Sequence, residues 1–132
     1  MGDWCREPPP PLLVAGIAQF NRGEFFEQHE TLEALWRAEA RPVRRLYQGI
    51  LQVGVAFHHI RRANHHGAVY MLGRGSMYLE PFAPVCQSVD VDRLILDARR
   101  ALDHVEALGP RRLQAFDWAL APRVRLVGDP YQ

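Results

Sequence analysis

His29 and Glu33 stand one helical turn apart in the stretch FFEQHETLEALW, and a histidine and a carboxylate at that spacing can reach a single point. His59, from HHIRRANHH, would supply a third ligand and leave an open position for water, with Glu30 acting as general base. That set implies a divalent metal as cofactor and a metal-dependent hydrolase with its site between two helices. The same side chains serve equally as a hydrogen-bond network, in which Glu33 accepts from a histidine, Gln48 and Gln52 satisfy their neighbours, and the whole fixes helix register. HETLE is neither the His-Glu-x-x-His of zinc proteases nor the repeated Glu-x-x-His of di-iron bundles. The leading expectation is therefore a helical domain whose polar cluster is structural or partner-binding, and the metal-dependent hydrolase is the alternative.

The helices that must carry these residues are readable from periodicity. With about 100° per residue, the helix around His29 has an apolar arc of Phe25, Phe26, Leu32, Leu35 and Trp36, with His29 and Glu33 inside it. Glu30 falls at the margin, while Glu24, Glu27 and Gln28 are expected to point to solvent. An unpaired carboxylate inside that arc would cost on the order of several kcal/mol, so Glu33 needs a partner. The next helix is apolar nearly all round, which marks a central, buried element, yet Gln48, Gln52 and His59 form a polar line along it. Buried polar groups need partners, so the two polar stripes are predicted to face each other.

Five helices are expected in all. The first runs from about Leu12 to Phe20, ending at the Asn21–Gly23 turn, and the second from about Glu24 to Glu39, where Pro42 bars its continuation. The third spans about Val43 to Arg62. The NHHGA stretch from Asn64 then breaks it from a fourth that ends near Glu80, and Asn64 itself suits a cap or a left-handed turn. The fifth begins at Asp90, a good N-cap, and stops at Gly109–Pro110. The fold class is all-α, an antiparallel array of two hairpins plus a C-terminal helix and an extended tail to Gln132. Residues 1–11 form a proline-rich lead-in and 12–132 a single domain.

Composition removes several chemistries. All 16 basic residues are arginine, so there is no Schiff-base lysine and no P-loop lysine. Ser76 in GRGSMY lacks the Gly-x-Ser-x-Gly elbow of serine hydrolases. A net charge of +1 supplies no global field for nucleic acid or an anionic membrane, and no apolar run approaches the length of a membrane span. The arginine pairs 61–62, 99–100 and 111–112 lack interleaved aromatics, so solvated faces are expected rather than an RNA track. Cys5 and Cys86 make no Cys-x-x-Cys pair, and with no signal peptide in view they are expected to be reduced, in a cytoplasmic protein. His65, His66 and His104 are expected in solvent. Gly73 and Gly75 weaken the fourth helix unless another helix comes close, and a homo-oligomer interface would use the same feature.

Two long motifs, FNRGEFFEQHETLEALW and YQGILQVGVAFHHIRRANHHGA, carry a family resemblance. Taken together over Phe20 to Ala68, the chain resembles DUF309, a bacterial and archaeal domain of unknown function. The family pattern maps onto Phe20, Asn21, Gly23, Glu27, His29, Glu30, Glu33, Trp36, Gln48, Gln52, His59, Asn64, Gly67 and Ala68. The resemblance implies an all-helical array and supplies no activity. Ala63 departs from it, since the family often has glycine before the asparagine.

Overall fold

The structure, a computed structural model, describes residues 3–128. Its helices begin and end where local chemistry dictates. Helix α1 (Pro11–Asn21) opens on a proline, whose fixed φ and missing N–H suit a first turn. Helix α2 (Phe25–Ala38) stops short of Pro42, and α3 (Arg44–Arg61) follows after a brief turn. Helix α4 (His65–Leu79) is capped by the Asn64 side chain, which accepts from Gly67 N at 2.9 Å. Helix α5 (Val91–Leu108) is capped in the same way by Asp90, which accepts from Arg93 N at 3.1 Å, and it ends at Gly109 with φ +71°. All five expected helices are present, with ends shifted by a residue or two.

Each helix packs on the next in the chain. The core sits around α3, where Leu46, Tyr47, Ile50, Val53, Ala56 and Phe57 have no exposed surface. Helix α4 lies against it backbone to backbone: a Cβ on Gly49 would stand 3.2 Å from Gly75 O, and one on Gly75 would stand 3.0 Å from Gly49 O. Close helix contact thus explains Gly75, whereas Gly73 has open space around it.

Two features were not foreseen in the sequence. A short antiparallel pair, β1 (Val85–Cys86) and β2 (Val89–Asp90), forms a hairpin between α4 and α5. Cys5 and Cys86 are joined as a disulfide, contrary to the expectation of reduced thiols, and the ground for expecting a cytoplasmic location goes with it. The backbone prepares that link. Gln87 N donates to Cys5 O at 2.7 Å, Gln87 Nε2 donates to Trp4 O at 3.1 Å, and Tyr47 OH donates to Gln87 Oε1 at 2.7 Å. The proline-rich start is thereby tied to the core through Trp4, Cys5 and the Arg41–Glu7 ion pair.

After α5 the chain makes two 3-10 turns, Pro110–Ala115 and Trp118–Leu120, and then runs extended over the surface, as expected for the tail. Asn21 clips this run at Val124, donating to its O at 2.9 Å and accepting from its N at 2.8 Å. Leu126 then bridges to Val89. Pro130 and Gln132 lie outside the described residues. Among the described residues no helix is long and apolar enough to cross a membrane.

Reducing the Cys5–Cys86 link, or replacing both cysteines by serine, should lower stability by about 2–4 kcal/mol, because the open chain regains the entropy of a long loop. Urea unfolding of the oxidised protein, the reduced protein and the double-serine variant checks this. The last two should agree with each other.

Candidate functional site

Helices α2 and α3 run side by side in opposite directions, and the contacts between them are paired accordingly. Phe25 meets Phe57 with ring centroids 5.5 Å apart, Phe26 meets His58 at 5.9 Å, and Gln28 reaches Leu51 O at 3.2 Å. Closer to the far end, Trp36 lines the same cleft as Gln48, Leu51 and Gln52. The result is a groove with two adjoining parts. One, of about 180 Å³, is walled by Phe25, Phe26, Val55 and His58. The other, of about 110 Å³, is walled by Glu33, Trp36, Gln48, Leu51 and Gln52. His29 lines both.

The two polar stripes therefore face each other, as their periodicity requires, but only in part. His29 Nε2 lies 3.3 Å from Glu33 Oε2, and Arg37 donates to Glu33 Oε1 at 2.6 Å. Neither His29 nor Glu33 is buried: their side chains are 37% and 29% exposed, so Glu33 escapes the desolvation cost that full burial would impose. Gln52, 8% exposed, lies across the groove and its Oε1 has no hydrogen-bond partner. Gln48 accepts from Arg45 of its own helix. The Trp36 ring is capped by the Arg44 guanidinium at 4.5 Å, yet its indole N–H finds no acceptor.

His59 does not join this group. It turns toward the start of α4, where its Nδ1 is 3.3 Å from Asn64 Nδ2 and a Cβ on Gly67 would meet its ring at 2.9 Å. His58, its neighbour, is the histidine that shares a wall with His29. Glu30 sits on the outer face of α2, in a shallow depression with Glu33, Ala34 and Arg37. Among the described residues, no three histidine, cysteine, aspartate or glutamate side chains come together in a way that could hold a metal ion. The set His29, Glu33 and His59, with Glu30 as base, is not assembled.

Gln28, expected in solvent, is fully buried. Its Nε2 donates to Phe25 O and Leu51 O, both at 3.2 Å, while its Oε1 lacks a partner. It fits only because residue 54 is glycine, where a Cβ would stand 2.3 Å from Gln28 Nε2. Other side chains expected in solvent find partners, Arg61 while remaining exposed. Arg61 lies over the rings of Phe25 and Trp118 at 4.8 and 5.3 Å, and donates to Gly23 O. His65 Nε2 is 3.0 Å from Val105 O, and His104 Nε2 accepts from Asp117 N at 3.1 Å. Ala63 holds φ at +57°, the left-handed conformation that glycine adopts more readily.

Residues 13–71 match the family model of DUF309. It is described as a domain of unknown function, and it is the family that the motifs at Phe20 to Ala68 resemble. The matched residues take in most of α1, all of α2 and α3 and the first turns of α4, so the α2–α3 groove lies within the matched stretch. The disulfide and α5 do not. No curated protein matches the chain.

Gln28→Ala should cost about 1–3 kcal/mol, through the lost side-chain hydrogen bonds to the Phe25 and Leu51 carbonyls and a cavity. Gly54→Ala should cost a similar amount, about 1–3 kcal/mol, through overpacking. In the double variant the new methyl enters the space that Gln28 vacates, so the two losses should sum to less than their parts in a double-mutant cycle.

Burial, and secondarily the charge of His58, holds the His59 imidazole below its ordinary pKa of 6.5. The unfolded chain then takes up this proton first, so the contribution is complete above about pH 6.5 and is lost as pH falls through the lowered value. Urea midpoints measured from pH 7.5 down to pH 5 should fall more steeply for the native sequence than for His59→Gln.

Proposed function

We propose that this chain is a binding domain, and that the α2–α3 groove holds an apolar group carrying an amide, such as a peptide segment with an aromatic or branched side chain. The observation that carries this reading is the pair of unsatisfied groups in the groove, the Trp36 indole N–H and Gln52 Oε1. A polar group buried without a partner costs about 1–3 kcal/mol, which a bound group carrying the complement would relieve. An amide supplies both complements at once. Beside them, the larger part of the groove has mostly apolar walls, and Phe26 at its edge is 54% exposed. An exposed aromatic next to a few convergent polar groups is the usual composition of a ligand pocket.

The His29–Glu33–Arg37 chain of contacts supports the same reading. Glu33 holds the ring of His29 at the junction of the two parts, and Arg37 fixes Glu33 in turn. His29 is thus oriented to contact a ligand lying along the groove.

N-acetyl-phenylalanine amide and N-acetyl-leucine amide are suitable probes, followed by the NMR signals of the Trp36 indole and the methyls of Leu51 and Val55. Saturable shifts confined to these positions are expected, weakened by Phe26→Ala while the folded spectrum is retained. The absence of saturable shifts would overturn the proposal. So would turnover of any member of a broad hydrolase substrate panel, if it is abolished by His29→Ala with the fold intact.

A further inference from the structure

A second cleft, of about 270 Å³, lies on another face of the molecule, between α5 and the extended run after Leu120. Its walls are built from two regular patterns. On α5, Arg93, Asp97 and Arg100 recur at spacings of four and three residues and so share one side of the helix. On the extended run, side chains alternate: Val124 is buried, and Arg123 and Arg125 on either side of it are exposed and line the cleft. The run is held in place by the Asn21–Val124 clip and by Asp90 N donating to Arg125 O at 2.9 Å. Two ridges of arginine thus oppose each other across a fixed gap.

Charge in this cleft is unbalanced. Among the described residues lining it, four guanidinium groups meet a single carboxylate, Asp97. Asp97 is engaged by Arg93 at 2.9 Å and Arg100 at 4.0 Å, both on its own helix. Arg123 and Arg125 have no carboxylate partner among the described residues. Guanidinium groups do not lose their protons in proteins, so four fixed positive charges face one negative charge at any physiological pH. In a chain whose net charge is only +1, the cleft is a local concentration of positive charge that attracts anions.

We infer that this cleft binds a small phosphoanion, with inorganic pyrophosphate as the simplest form of the ligand. The planar forks of Arg123 and Arg125 match phosphate oxygens in a bidentate way, and Arg93 and Arg100 close the opposite side. The volume suits more than one phosphate group yet remains below the usual range for drug-sized ligands. A free small anion is favoured over a nucleic-acid backbone because the arginines converge on one cleft instead of following a track, and none of the described residues lining the cleft is aromatic.

Isothermal titration of the full chain at low salt, with pyrophosphate, inorganic phosphate and a single-stranded oligonucleotide as separate probes, tests this. Pyrophosphate should bind saturably and at least about tenfold more tightly than phosphate, with affinity falling as salt is added. The exposed pair Arg123→Gln/Arg125→Gln should lose about tenfold or more in affinity with an unchanged thermal midpoint. Asp97→Asn removes the one carboxylate among the described residues of the cleft and should tighten binding. Three results would overturn the inference: no saturable binding of pyrophosphate, undiminished binding by the double variant, or an oligonucleotide that binds more tightly than pyrophosphate.

Discussion

Helix α3 can occupy the centre of this molecule because its backbone admits two neighbours at distances that side chains would forbid. On one side Gly49 and Gly75 bring α3 and α4 into backbone contact. On another, the bare Cα of Gly54 lets the Gln28 amide reach the Leu51 carbonyl. The second contact sets the height of α2 along α3, because a polar group of fixed length must meet one particular carbonyl. Once that height is fixed, Phe25 faces Phe57, His29 faces Val55 and His58, and Trp36 faces Gln48. The groove between the helices follows from a hydrogen bond beneath it.

The helix ends were legible because single residues specify them locally: Pro42, the caps Asn64 and Asp90, and the stop at Gly109, though Pro11, read as part of the lead-in, is the first residue of α1. The facing of His29 and Glu33 toward Gln48 and Gln52 was legible for a similar reason, since a helical wheel records direction well. It records nothing about height. His59 shares its bearing with Gln48 and Gln52 but stands roughly 10 Å further along the axis than Gln52 at 1.5 Å per residue. That places it at the turn into α4, where its ring goes to Asn64 and Gly67, while His58 beside it lines the wall with His29.

Gln28 was misplaced for a different reason. On the wheel it lies between Leu32 and Leu35, in the middle of the buried face, and only its polar side chain argued against burial. Phe26 erred in the opposite sense: its aromatic ring drew the apolar arc toward Glu33, whereas in the structure the ring stands more than half exposed at the edge of the groove. The disulfide joins residues 81 positions apart, a pairing that no local pattern encodes, while the hairpin closes locally through Gln87 and Ser88, both held at positive φ without a glycine to mark the turn. His65 and His104 were likewise assigned to solvent by type, and each finds a backbone partner supplied by another segment.

The residues around 85–90 receive both ends of the described chain. Cys86 and Gln87 hold the start through Cys5, and Ser88 and Val89 hold the finish through Val127 and Leu126. With Cys5 bonded to Cys86, every peptide bond between them belongs to a covalent ring. A protease that cuts once within that ring, at the turn before α4 for example, leaves a molecule of nearly unchanged mass whose two pieces part only on reduction. Residues 5 and 127 are thus held to one short hairpin, so the two ends of the described chain meet on it. In that sense the helical array has no true beginning, only a clasp.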